Sequence, residues 1–451
     1  MIGSRSHIGV RWESEEPIRH SDIDCVIQRD FKIYPAILQD FSAKILRPVE
    51  QDLVVVAAAI AYADRVVRRR RGHGWSRNLT LTIPVSDPFH WTKGAVSRTL
   101  VEAIEYVTGD IWNFAFVQGP AISLVTEQSS MDFTRGNYVV MPFSDGLDSF
   151  LQWQLLKKEE SRSNVLRVHT HSRASNRRRN KLIDLARDGS DQRLAMPVSL
   201  SKLNHPESTY RSRTFLFFSI AALAASKIGT SRVVIGENGV GTYGPGMVPF
   251  GDEYPHRTTH PAFTARLALF VNNLLGASVS FEHPQQFRTK GQVLKHAISL
   301  GVSGWEHTHS CTRSARNQLD GLPCGICGGC LLRRTAVYHA GLRDERYFWH
   351  NLSAVELDDC RSDPGGRLAA KSDYDIARHG ILDMESFAAL AQQSSMELFE
   401  RAAWEVVEEV GPAHANISVE IASLARNHAS EWSSFRGSFE GGGILNTDQE
   451  R

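Results

Sequence analysis

Tyr138-Val139-Val140-Met141-Pro142-Phe143 is a short apolar run that passes without a spacer into Ser144-Asp145-Gly146-Leu147-Asp148-Ser149. An apolar run ended by Ser, Asp and Gly reads as a buried strand closing in a tight turn. Phe150–Glu160 then reads as a helix, so the pattern is strand, turn, helix start. Such a junction makes an anion site, because the turn's N–H groups and the positive end of the helix point at the same place. Gly146 permits close backbone approach, Ser144 and Ser149 offer hydroxyls to phosphate oxygens, and Asp148 can cap the helix or hold Mg²⁺. A simple capped turn without a ligand uses the same residue types. The carboxyl end of a strand in an α/β sheet is where ligands gather, which favours the anion site.

The residues downstream keep the alternation. Val165–His169 and Leu194–Leu200 read as strands, Thr214–Ile228 as a long apolar helix and Arg232–Gly236 as a strand. A Gly/Pro-rich loop, Glu237–Pro261, leads into a helix over Ala262–Leu275, a strand over Ser278–His283 and a helix over Lys290–Leu300. Short apolar runs separated by helices argue for a parallel sheet covered on both faces, and right-handed crossovers make it doubly wound. Upstream, helices over Asp52–Arg70 and Ala95–Tyr106 and strands over Leu79–Val85 and Trp112–Val117 predict a mixed α/β region without a motif. The expected division is an N-terminal α/β accessory domain over 1–135, the α/β core over 136–345 and a helical C-terminal region over 346–451.

Bulk properties exclude several classes. The net charge of +1 offers no global field for nucleic acid or an anionic membrane surface. The longest apolar run, Leu53–Ala63, is well short of the roughly 20 residues of a membrane span and reads as a buried helix. The first sixteen residues show no apolar signal segment, so a cytoplasmic location with reduced thiols is expected.

Four of the six cysteines cluster as Cys311, Cys324, Cys327 and Cys330, a C-x12-C-x2-C-x2-C spacing with Gly325, Gly328 and Gly329 between ligands. Clustered thiols in a reducing compartment point to metal before disulfide, and four thiolates suit a closed tetrahedral Zn²⁺ site of structural role. An iron–sulfur cluster uses the same ligands.

The hexapeptide Ser144–Ser149 resembles the SGGxDS signature of PP-loop ATP pyrophosphatases, with Asp145 standing where that pattern has Gly. A carboxylate there repels phosphate unless it points outward or binds the metal. Pro284, Thr289-Lys290, Thr308-His309-Ser310-Cys311, Cys324-Gly325-Ile326-Cys327, Cys330 and Arg333 together resemble the end of the 7-cyano-7-deazaguanine synthase (QueC) family. Ser212-Arg213-Thr214 is similar to that family's Arg-led helix start. The resemblance covers roughly 137–345 and implies a PP-loop (HUP-like) fold with ATP, Mg²⁺ and a structural Zn²⁺.

It further implies adenylation of the carboxylate of 7-carboxy-7-deazaguanine, then amide and nitrile formation. Ser144, Asp145, Gly146, Leu147, Asp148, Ser149 and His169 would bind the nucleotide, and His171 ends the same strand. Asp148, Lys290 and Arg213 would be catalytic, and Glu237, Asn238 and Arg257 would meet the substrate, with Asp252 and Glu253 in the same loop. Arg213 and Lys290 each open a helix, where a cation opposes the dipole, so an anion such as phosphate is expected beside them. Arg68–Arg71 and Arg177-Arg178-Arg179 read as solvated faces. The added flanks resemble the QueC-like family of the bacterial Qat antiphage operon, which implies an operon-encoded protein as acceptor. Two other readings stay open: a tRNA-modifying PP-loop enzyme, and a degenerate nucleotide-binding assembly module, for which Asp145 is the hint.

Overall fold

A computed structural model describes residues 5–34, 37, 46–70, 75–120, 137–144, 146–169, 192–201, 206–248, 254–312, 322–344, 347–393, 395–410 and 416–445. Asp145, His171, the run Arg177–Arg179, Asp252 and Glu253 lie outside them.

The first sheet is built from β1 (Arg5–Arg11), β2 (Ile23–Val26), β4 (Asn78–Val85) and β5 (Ile111–Gln118), all parallel in the order β2-β1-β4-β5. Between them lie β3 (Phe31–Ile33), α1 (Pro48–Val66), α2 (Pro88–Thr92) and α3 (Gly94–Thr108). α1 contains the expected buried run, and Leu53–Ala63 is hidden around its whole circumference. A helix apolar on all sides needs cover on all sides. β4 lies on one flank and a helix of the second sheet on another. The sequence pattern did not reveal β1, β2 or β3.

The second sheet contains β6 (Asn137–Phe143), β7 (Ser163–His169), β8 (Gln192–Leu194), β10 (Arg232–Val234) and β11 (Ser280–Glu282), with α4 (Leu147–Glu159) following β6. Its order is β11-β10-β6-β7-β8, all parallel. The expected doubly wound sheet is therefore present. Tyr138 and Val140 face one core; Val139, Met141 and Phe143 face another with α4. The first of these cores is continuous with that of the first sheet.

α5 (Arg213–Ile228) covers this shared face. It is followed by α6 (Gly239–Met247), α7 (Pro261–Leu275), α8 (Lys290–Ser299) and α9 (Gly328–His339).

Three local expectations are corrected. Arg69, within the run Arg68–Arg71 expected as a solvated face, is buried and pairs with Asp64 at 3.0 Å and Asp110 at 2.5 Å. The strand expected over Leu194–Leu200 is interrupted at Pro197, which has no N–H to continue a ladder. Only β8 joins the parallel sheet; β9 (Val198–Leu200) pairs antiparallel with β3. The loop expected over 237–261 contains α6, with Pro245 inside it. The Asn238 side chain caps α6 by accepting from the N–H groups of Val240 and Gly241. Its glycines fit a crowded place, since a Cβ on Gly239 would collide with the Gln286 carbonyl and one on Gly241 with Glu237.

The tail is helical as expected, with α10 (Lys371–Ala389), α11 (Glu397–Val410) and α12 (Ile417–Gly437). These helices pack on the cysteine element and on α6. Among the described residues no helix is long and apolar enough to cross a membrane.

Candidate active site

The chain order of the second sheet reverses between β6 and β10, and in doubly wound sheets ligands bind in the crevice at that point. The Ser144–Ser149 bend closes the carboxyl end of β6, and Gly236, Glu237 and Asn238 follow β10 beside it. Close approach here requires Gly236: a Cβ on it would stand 2.8 Å from Gln152 Cβ and 3.0 Å from the Asp148 carbonyl.

The bend is held by its own hydroxyls. Ser144 N–H donates to Ser149 Oγ at 3.2 Å, and Gly146 N–H donates to Ser144 Oγ at 3.1 Å. Ser149 Oγ lies 2.9 Å from the Ser144 carbonyl. Leu147 opens α4 and is buried, which anchors the turn to the core.

A cavity of about 220 Å³ opens here. Ser144, Asp148, Ser149, Arg213 and Glu237 line it, all of them singled out from the sequence. Thr214 of the Arg-led helix start and Thr259 of the Gly/Pro-rich loop line it too, as do Gly236, Phe217 and Phe218, which carried no sequence signal.

Lys290 sits behind the cavity, buried, with its Nζ 2.6 Å from Asp148 Oδ2. The capping box of α8 fixes it there: Thr289 Oγ1 accepts from Gln292 N–H at 3.0 Å, and Gln292 Oε1 accepts from Thr289 N–H at 2.9 Å. Asn238 Nδ2 donates to Asp148 Oδ1 at 3.0 Å and to Glu237 Oε1 at 2.9 Å, bridging the two carboxylates. Burial, and then the neighbouring Asp148 charge, hold the Glu237 carboxyl above the usual range, while Lys290 pulls it back. Two carboxylates, two cations, two hydroxyls and a helix N-terminus therefore converge on one crevice. That set can neutralise a polyanion and hold a divalent cation.

His169 and Arg257 are placed differently. His169, paired in register with Phe143 at the end of β7, is buried with its ring 5.2 Å from that of Phe143. It is not among the described residues lining the cavity. Arg257 is forked onto Glu405 of α11, with Nε 3.0 Å and Nη2 2.8 Å from the carboxylate, and its guanidinium lies over Tyr106 and Tyr254. It lines a separate cavity of about 230 Å³ with His260 and Tyr243.

The four clustered cysteines are all buried, and their sulfurs lie within 4.8 Å of one another. Cys324 Sγ is 3.8 Å from Cys330 Sγ, and Cys327 Sγ is 4.0 Å from Cys311 Sγ. Zinc–sulfur bonds of ~2.3 Å give tetrahedral sulfur–sulfur edges of about 3.8 Å, so the donor set fits such an ion. Gly325 turns the knuckle at φ 91°, in the left-handed region. The element also touches the bend, because the His309 carbonyl lies 3.7 Å from where a Gly146 Cβ would be. Arg333 secures this approach by donating to the Thr308 carbonyl at 3.1 Å and Thr308 Oγ1 at 2.6 Å.

Sheet order, switch-point bend and thiol cluster define an α/β protein with a polar crevice beside a four-cysteine cluster that could hold a metal ion. A family model described as "Queuosine biosynthesis protein QueC" matches residues 190–341. That stretch begins after the Ser144–Ser149 bend. Proteins named 7-cyano-7-deazaguanine synthase are similar. The one from Acinetobacter baylyi is 30% identical over 167 residues, 36% of this chain and 68% of the relative. The one from Psychrobacter cryohalolentis is 31% identical over 144 residues, 32% of this chain and 51% of the relative. The one from Hydrogenovibrio crunogenus is 25% identical over 206 residues, 43% of this chain and 82% of the relative. The chain belongs to the 7-cyano-7-deazaguanine synthase (QueC) family. It spans about half the length of the Psychrobacter relative.

Proposed function

We propose that the chain is an ATP-dependent ligase that activates the carboxylate of 7-carboxy-7-deazaguanine or a close deazapurine relative. One observation carries the reading: Ser144, Asp148, Ser149, Arg213 and Glu237 line a single cavity at the point where the strand order reverses. In this reading the bend, Asp145 included, cradles the phosphates. Asp148 holds Mg²⁺, Lys290 and Arg213 neutralise phosphate charge, and His169 stands on the nucleoside side. A substrate carboxylate oxygen attacks the α-phosphorus, pyrophosphate leaves, and an acyl adenylate results. An amine then displaces AMP to form an amide; a second activation dehydrates that amide to a nitrile when the amine is ammonia. Catalysis comes from placement and charge neutralisation.

Glu237 is suited to the hydrogen-bonding edge of a guanine-like base, whereas Asn238 would meet it only by releasing Asp148, Glu237 or the α6 cap. Arg257 reaches a substrate carboxylate only by releasing Glu405, so it has the smallest part here. Zn²⁺ on Cys311, Cys324, Cys327 and Cys330 would be structural, since four thiolates leave no open position. Thiolate ligands also suit a cytoplasmic location. The reading extends to antiphage defence, with an operon-encoded protein supplying the amine; it is motivated by residues 1–135, the helical tail and the substrate loop after Glu237.

The experiment is AMP formation from ATP and Mg²⁺ with 7-carboxy-7-deazaguanine. AMP dependent on the acid supports the reading, and none at any concentration of acid overturns it. Intact mass measurement of co-expressed operon proteins tests the acceptor: no added deazaguanine mass removes that extension.

A further inference from the structure

Arg213 and Lys290 both stand where a cation opposes a helix dipole, and the structure supplies a carboxylate behind each of them. Both carboxylates come from outside residues 190–341. Asp64, in the last turn of α1, is fully buried and accepts the N–H of Ser212, the residue before Arg213, at 2.8 Å. Burial opposes its charge, but Arg69 and Arg77 outweigh that and hold the carboxyl below its ordinary range. Asp64 Oδ1 is 2.6 Å from Arg77 Nη2 and 3.0 Å from Arg69 Nη2.

Glu431, on α12, is buried and accepts the hydroxyl of Thr289, the residue before Lys290. Its carboxylate fits because Gly291 has no side chain; a Cβ there would stand 2.6 Å from Oε2. The Gly291 N–H also bonds to it.

The two arrangements share one form: a buried carboxylate from a flank grips the residue just before the cation, at the free N–H end of the helix. Neither Asp64 nor Glu431 is among the described residues lining the cavity. We propose that Asp64 and Glu431 are positioning residues that pin the N-termini of α5 and α8, and so set Arg213 and Lys290 against nucleotide phosphates. This rests on the nucleotide reading above. A pinned helix start keeps its cation where charge develops, so less rearrangement is needed on binding. The flanks thereby complete a site that the family segment holds only in part.

The test is two double-substitution squares on the full chain, read as affinity for α,β-methylene-ATP with Mg²⁺ by calorimetry. One square combines Glu431→Ala with Lys290→Met, the other Asp64→Asn with Arg213→Met. Glu431→Ala is expected to weaken binding about tenfold alone and less than about twofold beside Lys290→Met, because coupled residues are not additive. Glu431→Gln, which keeps an acceptor for Thr289, is expected to restore most of the affinity. Equal losses in both backgrounds would mean a general loosening of the fold and would overturn the proposal, leaving the nucleotide reading intact. No binding by the unaltered protein would remove that reading and the proposal with it. Should Asp64→Asn not fold, the Glu431 square decides alone.

Discussion

The two parallel sheets reverse their chain order in the same way, between β1 and β4 in the first and between β6 and β10 in the second. At the first, the polar groups near the strand ends find partners inside the protein. Arg11 is held by Asp24 through Nε at 2.7 Å and Nη2 at 2.9 Å. Ser86 gives its N–H and hydroxyl to Asp52, which also takes the Trp91 indole N–H at 3.3 Å. At the second, Ser144, Ser149, Arg213 and Glu237 face a cavity. A reversal of strand order offers a crevice, and the partners available to the strand-end residues decide whether it becomes a site. Under the proposed function the first sheet is scaffold and the second carries the chemistry.

The largest expected effect is at the metal element. Cys327→Ser should lose the ion and most of the binding energy that serves as folding energy, on the order of 10 kcal/mol. A soluble, metal-free variant with the parent's melting temperature would break the idea that the second sheet's crevice depends on this brace.

Next comes the scaffold. Asp110, buried, accepts from Arg69 at 2.5 Å and from Arg77 Nε at 3.1 Å. Asp110→Ala should cost about 3–5 kcal/mol in denaturant unfolding, because it strands buried guanidinium charge. If that variant instead melted normally but lost AMP formation, the division of labour between the sheets would be wrong.

Asp148→Ala should do the reverse. AMP formation should fall by about 10²–10³-fold or more, with a smaller loss of stability than Asp110→Ala because the Glu237 carboxyl remains beside Lys290. Parent-level turnover would end the assignment of this crevice as the active site.

The smallest effect sharpens the picture through pH. Burial pushes the Glu431 carboxyl up to about 7 from its ordinary 4.5, against the pull of Thr289, the Gly291 N–H and Lys295, with His339 Nε2 3.6 Å away. A raised carboxyl binds more protons folded than unfolded. Its contribution is therefore complete below about 4.5 and is lost as pH rises through about 7, a change on the order of 1–3 kcal/mol. Glu431→Gln should flatten that stretch of the stability–pH curve, and an unchanged slope would show that another group sets it.

Most of the second sheet was legible because its buried strands are short apolar runs between helices, as in Tyr138–Phe143 and Val165–His169. β1 was not, since Arg5–Arg11 mixes Arg, Ser and His with its apolar residues, and β3 has only three residues. α6 was hidden because Gly239, Gly241, Gly244 and Pro245 advertise a loop, whereas close packing accounts for Gly239 and Gly241. In the crevice, Ser144, Asp148, Ser149, Arg213, Glu237 and Lys290 came from local pattern and resemblance. An anion beside Arg213 and Lys290 was expected from the dipole alone. That the protein itself contributes Asp64, Asp148 and Glu431 was out of reach, because those contacts join residues 142 to 148 positions apart.

The short ladder between β3 and β9 has a consequence for synthesis of the chain. Residues 31–33 leave the ribosome long before residues 198–200, so the N-terminal segment emerges with one strand lacking its mate. α1, apolar on every side, waits in the same way for α5. During translation this half is exposed to chaperones and to mispairing with other nascent chains until the second sheet is nearly complete. A stalled message would therefore yield an aggregation-prone fragment in place of a small stable module.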